Sequence, residues 1–377
     1  MKKILCLALT VVILMTLGFA IPAEAVATSE TGISVEQEEY IKNYACDQVV
    51  QAYSDYYVIP SISAEILSTV IDDPDVISAK VYVSFTKVLK AESAYDLPYI
   101  QGLQAGLSEL TNSDEIARVE AYLNMWVNEL EGLYIGQDHT ESAEFCVEVP
   151  RATAMTYSLS DPATSIYYLE AFSRKPLSMD EFRPETEDDL HASGVLDALE
   201  MADSAPVAAP MSVSSAPSSP TDYDRIAART YAQTWVCGRS DCNRSCYNPE
   251  YSSFSSDCAN FVSQCIYAGG IQREPGVWAP YTTPWCAVRY VSQNMGICEY
   301  MVDRGYFFDA GSSPKKAFAG SIISWLGYGH VGLVDYNDTV DMTFCAHTDD
   351  MLSQKFPSGV KFYIPVWDSY AGCYTPR

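Results

Sequence analysis

The chain has 377 residues, 48% of them hydrophobic and 19% charged, with 49 acidic against 23 basic side chains and a net charge of −26. That hydrophobic content excludes a disordered or collagen-like chain, and the length is enough for two cores. The acidic excess excludes nucleic acid and anionic polymers as electrostatic partners of the part that carries it.

Residues 1–25 open with Lys2 and Lys3, continue as an apolar run from Ile4 to Ala20 and end on Ala23-Glu24-Ala25, a small-x-small cleavage site. The pattern predicts a secretory signal peptide, hence a secreted, extracellular or cell-wall-associated protein with no stable membrane anchor after its removal. Residues 26–220 hold 33 acidic and 9 basic side chains, whereas residues 221–377 hold 15 and 12, so the charge belongs to one half. No D-x-D-x-D-G loop accompanies it, and a solvated acidic surface is expected rather than a calcium site.

The acidic half, residues 26–202, starts with Ser34-Val35-Glu36-Gln37, a capping box. Tyr40, Ile41, Tyr44, Ala45, Val49, Ala52, Tyr53 and Tyr56 then recur at helical spacing. Ser78 to Val88 alternates apolar and polar and predicts a half-buried strand. Helices are expected over Pro98–Leu110 and Asp114–Leu133, and strands over Phe145–Val149 and Ile166–Phe172. The order implies an α+β layer of unassigned role, with His139 and His191 as exposed surface residues. Residues 203–221 are rich in proline, serine and alanine without periodicity, which predicts an extended linker tethering two separate bodies.

In residues 222–377 a helix capped by Thr221 or Asp222 is expected around Tyr223 to Thr234. Cys237, Cys242 and Cys246 follow, and an exported chain favours disulfides over a zinc site that lacks a fourth ligand. Ser255 to Gly270 reads as a short buried helix: serines and Asp257 at its start, Gly269-Gly270 as its stop, and Phe261, Val262, Cys265 and Ile266 between. Cys258 falls on its first turn, where unpaired backbone N–H groups and the helix dipole favour the thiolate. Beyond it a helix is expected over Thr283–Asn294. Strands are expected at Ala319–Trp325, Gly329–Asp335, Thr343–Thr348 and Val360–Val366, with a turn at Asn337-Asp338.

The stretch Asp257-Cys258-x-Asn260-Phe261-Val262-Ser263-Gln264, followed by Ala268-Gly269-Gly270, resembles the nucleophile helix of the putative amidase domain family, relatives of the NlpC-type and CHAP cell-wall hydrolases in the papain-like clan. The resemblance runs from about Tyr223 to the region of Trp367 and takes in Tyr231-Ala232 and Asn248-Pro249-x-Tyr251-x-x-Phe254. It implies a papain-like α+β domain over residues 222–377, a nucleophile helix packed on an antiparallel sheet. His330 matches the family's base position and His347 the polar third member, so Cys258, His330 and His347 form the expected triad; Asp349 and Asp335 are alternatives for the third role. Ser321 departs from the family, many members of which carry aspartate there.

The reading is a cysteine hydrolase that cleaves amide bonds through a thioester, in cell-wall peptides or exported peptides, with a peptide or peptidoglycan-derived substrate, no cofactor and no metal. A catalytically silent binding or adaptor protein and a disulfide-stapled structural protein are the alternatives. Setting aside Cys6, eleven cysteines remain, an odd number. The expectation is that Cys258 alone stays free and reactive, that Cys46 and Cys146 bridge, and that the other eight form four bridges.

Overall fold

A computed structural model describes residues 32–376 except 72–74, 152–162, 204–218, 239–242, 275–277, 279–295, 326–328, 349 and 357–358. The expected signal segment, most of the expected linker, the helix expected over Thr283–Asn294, Cys242, Cys286 and Asp349 therefore lie outside the described residues. The chain is α+β, with helices laid on antiparallel sheets.

The capping box forms as read: Ser34 Oγ accepts from Gln37 N and the Gln37 side chain accepts from Ser34 N, starting α1 (Val35–Tyr53). Strands β1 (Tyr57–Val70) and β2 (Val76–Leu89) pair, followed by α2 (Pro98–Ser108) and α3 (Ser113–Leu133). Next come β3 (His139–Pro150), β4 (Ser165–Leu169), β5 (Pro176–Leu177), α4 (Met179–Phe182) and α5 (Glu187–Asp203). The five strands form one sheet in chain order. Strand β2 keeps strict alternation, so Val81, Val83, Phe85 and also Lys87 enter the core. Helices α2 and α5 approach backbone to backbone at Gly102 and Gly194, where a Cβ on Gly102 would stand 2.1 Å from the His191 carbonyl oxygen.

The C-terminal unit contains α6 (Arg225–Thr234), α7 (Cys258–Ala268), α8 (Gly296–Asp303), β6 (Phe307–Asp309), β7 (Ile322–Trp325), β8 (His330–Asn337), β9 (Met342–Ala346), β10 (Met351–Lys355) and β11 (Val360–Pro365). A short pair, β12 (Trp367–Asp368) and β13 (Cys373–Tyr374), closes it. The six-stranded sheet runs β10-β9-β8-β7-β11-β6. Helix α6 is capped by Asp224, whose side chain accepts from Ile226 N and Ala227 N, rather than by Thr221 or Asp222. Those two residues lie in a preceding 3-10 turn.

The two units share a core, which alters the expectation of tethered bodies. Phe318, Tyr336, Val340 and Ile364 belong to the same buried cluster as the N-terminal unit's apolar residues, and Trp126 stacks on Phe318 at 4.4 Å. Buried Arg225 donates to Asp368 (Nε–Oδ1 2.8 Å) and to both oxygens of Glu129 on α3. Lys87, fully buried, donates to Glu141 (2.6 Å) and to Asp341 of the C-terminal unit. His139 is also interior, 6% exposed and stacked on Tyr336 at 3.7 Å, because its place on β3 faces the other unit; the expectation of a surface histidine is corrected.

Cys237 and Cys246 form a disulfide, in line with the preference over zinc. The wider cysteine scheme is not met. Cys46 and Cys146 are free, as are Cys258, Cys265, Cys298, Cys345 and Cys373. The sequence supplies a count of thiols but no geometry, and a bridge needs Cα atoms within about 7 Å and converging Cβ vectors.

Candidate active site

Helix α7 begins where Asp257 leaves its carbonyl to accept the Phe261 N–H (2.9 Å), and it ends at Gly269, whose N–H returns to Cys265 O. Asp257 is completely buried. One carboxylate oxygen accepts from Phe254 N (3.1 Å) and Asn260 Nδ2 (2.9 Å), and the other meets His347 Nδ1 at 2.8 Å. Its own N–H donates to Thr348 Oγ1 (2.9 Å). The first turn of α7 is thus moored to the end of β9.

The remaining polar residues of the motif are committed as well. Asn260 Nδ2 also donates to Ser252 O (2.8 Å) and fixes the approach segment. Ser263 Oγ accepts from Trp278 Nε1 (3.1 Å), and Gln264 Oε1 accepts from Tyr231 OH (2.9 Å), which itself accepts from Asn248 Nδ2 (2.9 Å). Buried polar groups demand such partners. Cys258 is the motif residue whose heteroatom has no such side-chain tie.

Its sulfur is addressed by the backbone N–H groups of Val331 and Ala259. Burial nevertheless dominates: Cys258 is 6% exposed, and removal from water pushes its thiol up, with Asp257 adding to the rise and those N–H groups opposing it. The helix-start argument considered the dipole and not the depth of the site, so the expected lowering is reversed. Cys265, two turns further along the same face of α7 and fully buried, is pushed well up by burial.

His347 lies on the α7 side of the sheet, sandwiched between Tyr247 (3.5 Å, nearly parallel) and Phe261 (4.1 Å). Its Nε2 meets the Trp235 carbonyl at 2.7 Å. With a carboxylate at one ring nitrogen and a carbonyl at the other, neither nitrogen is open to take a proton from a thiol.

His330 opens β8 after Gly329, whose φ of 61° is left-handed. Val331 and Leu333 pack with Cys258, whereas the His330 ring meets Phe172 at 4.5 Å and Trp325 at 5.8 Å, in the neighbourhood of a second cluster. Strand alternation therefore sends His330 out of β8 on the face away from α7. Burial lowers its imidazole to about 4, and its Nε2 has no hydrogen-bond partner among the described residues. Cys258 and His347 come together around Asp257; His330 reaches Cys258 only through the adjoining Val331 backbone. Asp335, an alternative third member, accepts from Gln233 (3.2 Å), Thr343 (2.8 Å) and Ser353. The Asp257–His347 pair escaped the sequence reading, although the two residues stood in the quoted motif and in the triad. Among the described residues no group of three or more His, Cys, Asp or Glu side chains is placed to hold a metal.

Residues 222–304 match the family described as a putative amidase domain. A stretch of 48 residues is 44% identical to the uncharacterized protein YhbB of Bacillus subtilis (strain 168), and it covers 13% of this chain and 13% of that protein. No solved structure matches. The family match takes in α6, α7 and α8 and ends before the strands that carry His330 and His347. Over these residues the C-terminal unit is similar to amidase domains, a likeness that supports an amidase-domain family and suggests amide-bond hydrolysis.

Proposed function

We propose that the protein is a secreted cysteine hydrolase of papain-like type, related to the NlpC and CHAP enzymes, that cleaves amide bonds in cell-wall or exported peptides. The observation that carries this reading is Cys258 itself, the uncommitted residue of a motif whose other polar side chains are all engaged, with backbone N–H groups aimed at its sulfur. Cys258 Sγ attacks the carbonyl carbon while a base takes the thiol proton and passes it to the leaving amine. Water then attacks the thioester, releasing the acid and restoring the thiol. The N–H groups of the first turn of α7 are donors for the developing oxyanion.

His330 is the base. Its Nε2 is unpartnered among the described residues and its imidazole neutral at pH 7, but burial in its present place makes it a weaker base than an ordinary histidine, so it gains the basicity the step needs only on leaving that pocket. It acts once the first residue of β8 turns toward α7, with Gly329 as pivot. His347 serves as a positioning residue that fixes Asp257 and the thiol's turn.

Incubating the full chain with peptidoglycan fragments should release new amines, with a thioester adduct on Cys258 detected by mass. Cys258→Ala and His330→Ala should each abolish release, and His347→Asn should retain part of it. Undiminished release by Cys258→Ala would refute the nucleophile. A silent binding domain is the second reading, favoured by the present orientation of His330; it requires that wild-type protein bind fragments and release no amine.

A further inference from the structure

Between the two units lies a cavity of about 600 Å³, walled by the segment from Tyr168 to Glu185 on one side and by residues from Pro314 to Phe356 on the other. That volume is within the range of small-molecule sites, roughly 300–1,000 Å³. Its walls carry charges of both signs. Lys175, Arg183, Lys315 and Lys355 supply four cations in a chain where acidic side chains outnumber basic ones by 49 to 23, and Glu170, Asp180, Glu181, Glu185 and Asp341 supply five carboxylates.

These charges are unevenly satisfied. Lys355 Nζ is tied to Asp341 at 2.9 Å, a normal ion pair. Lys315 is nine-tenths buried, yet the carboxylate paired with it, on Glu185, stands 3.6 Å away, and Arg183 is 3.7 Å from Asp180. Charge-assisted hydrogen bonds run about 2.7–2.9 Å, so both cations face carboxylates without engaging them closely. Burial lowers the Lys315 ammonium, the mark of a cation short of compensation. Glu181 is exposed at the rim and has no ion-pair partner among the described residues.

A wall that pairs an under-compensated buried ammonium with an unpaired carboxylate selects a ligand bearing both an anion and a cation. An anion alone would be repelled by the five carboxylates lining the space, and a cation alone by the lysines. A single amino acid would leave most of the volume empty. We propose that this cavity binds a short peptide with free termini, its carboxylate on Lys315 and its ammonium toward Glu181. The site is independent of the thiol chemistry, and a ligand there touches both units.

The test uses the full chain carrying Cys258→Ala, so that no turnover consumes the probe, with binding read by calorimetry and thermal unfolding. Trialanine should bind and raise the melting temperature, whereas N-acetyl-trialanine and trialanine amide should each bind about tenfold more weakly or not at all. Lys315→Gln should weaken trialanine by a similar factor; should that variant fail to fold, Glu181→Gln at the exposed rim gives the same readout. No binding of trialanine, equal binding of the blocked peptides, or unchanged affinity in the folded variant would overturn the proposal.

Discussion

Burial of His330 makes a specific demand on stability as pH falls. The folded protein holds its imidazole neutral down to about 4, whereas the ordinary value, which applies to the unfolded chain, is 6.5. Above 6.5 neither state is protonated and the folded protein keeps its full stability. Between 6.5 and 4 the unfolded chain takes up a proton that the folded chain refuses, so stability declines as pH falls, and below 4 the loss is complete. At about 1.4 kcal/mol per pH unit, the gap amounts to about 3 kcal/mol. Carboxylates titrate nearby, so the effect is isolated by comparison with His330→Phe, which keeps a ring against Phe172 and Trp325 and cannot titrate. Urea unfolding of both proteins at intervals from pH 7.5 to pH 4 should show the wild type losing about 3 kcal/mol more than the variant across the window. Parallel pH dependences would refute the argument and mean that the ring is reached by water.

Two further outcomes concern the seam between the units. Arg225→Met leaves Glu129 and Asp368 buried without their counter-ion, and should cost about 3–5 kcal/mol in urea unfolding, with part regained on adding Glu129→Gln; a loss under about 1 kcal/mol would show the triad to be wetter than its burial indicates. Limited proteolysis within residues 204–218 should give two fragments on a denaturing gel that still co-elute in native gel filtration, since shared core and buried ion pairs hold them. Fragments that separate would restore the picture of independent bodies.

Strong periodicity was legible. The alternation of β2, the capping box of α1, and α7 with its glycine stop appear where their patterns place them. Strand β1 escaped because it is largely exposed, carries Pro60 and is bulged between Val58 and Ser61, features of an edge strand that blur period two. Helix α5, which begins Glu-Asp-Asp and abuts the proline-rich stretch, drew no expectation from the sequence. At the site, the identity of Cys258 was readable from its motif. The face on which His330 leaves β8 was not, because a one-residue change of phase at a strand's first position reverses it. Nor was the depth of Cys258, which depends on how sheet and helix close over it.

The seam also bears on the order in which a growing chain can complete its folding. Glu129 and Lys87 are both fully buried in the half that is made first, yet Arg225 and Asp341, which answer them, belong to the half made later. Phe318, Tyr336, Val340 and Ile364, which fill the first half's core, are also made later. Until those residues arrive, the early half holds a carboxylate with no counter-ion and an ammonium with one of its two acids missing, both of which water must cover. Its strands can pair at once, but its interior closes last.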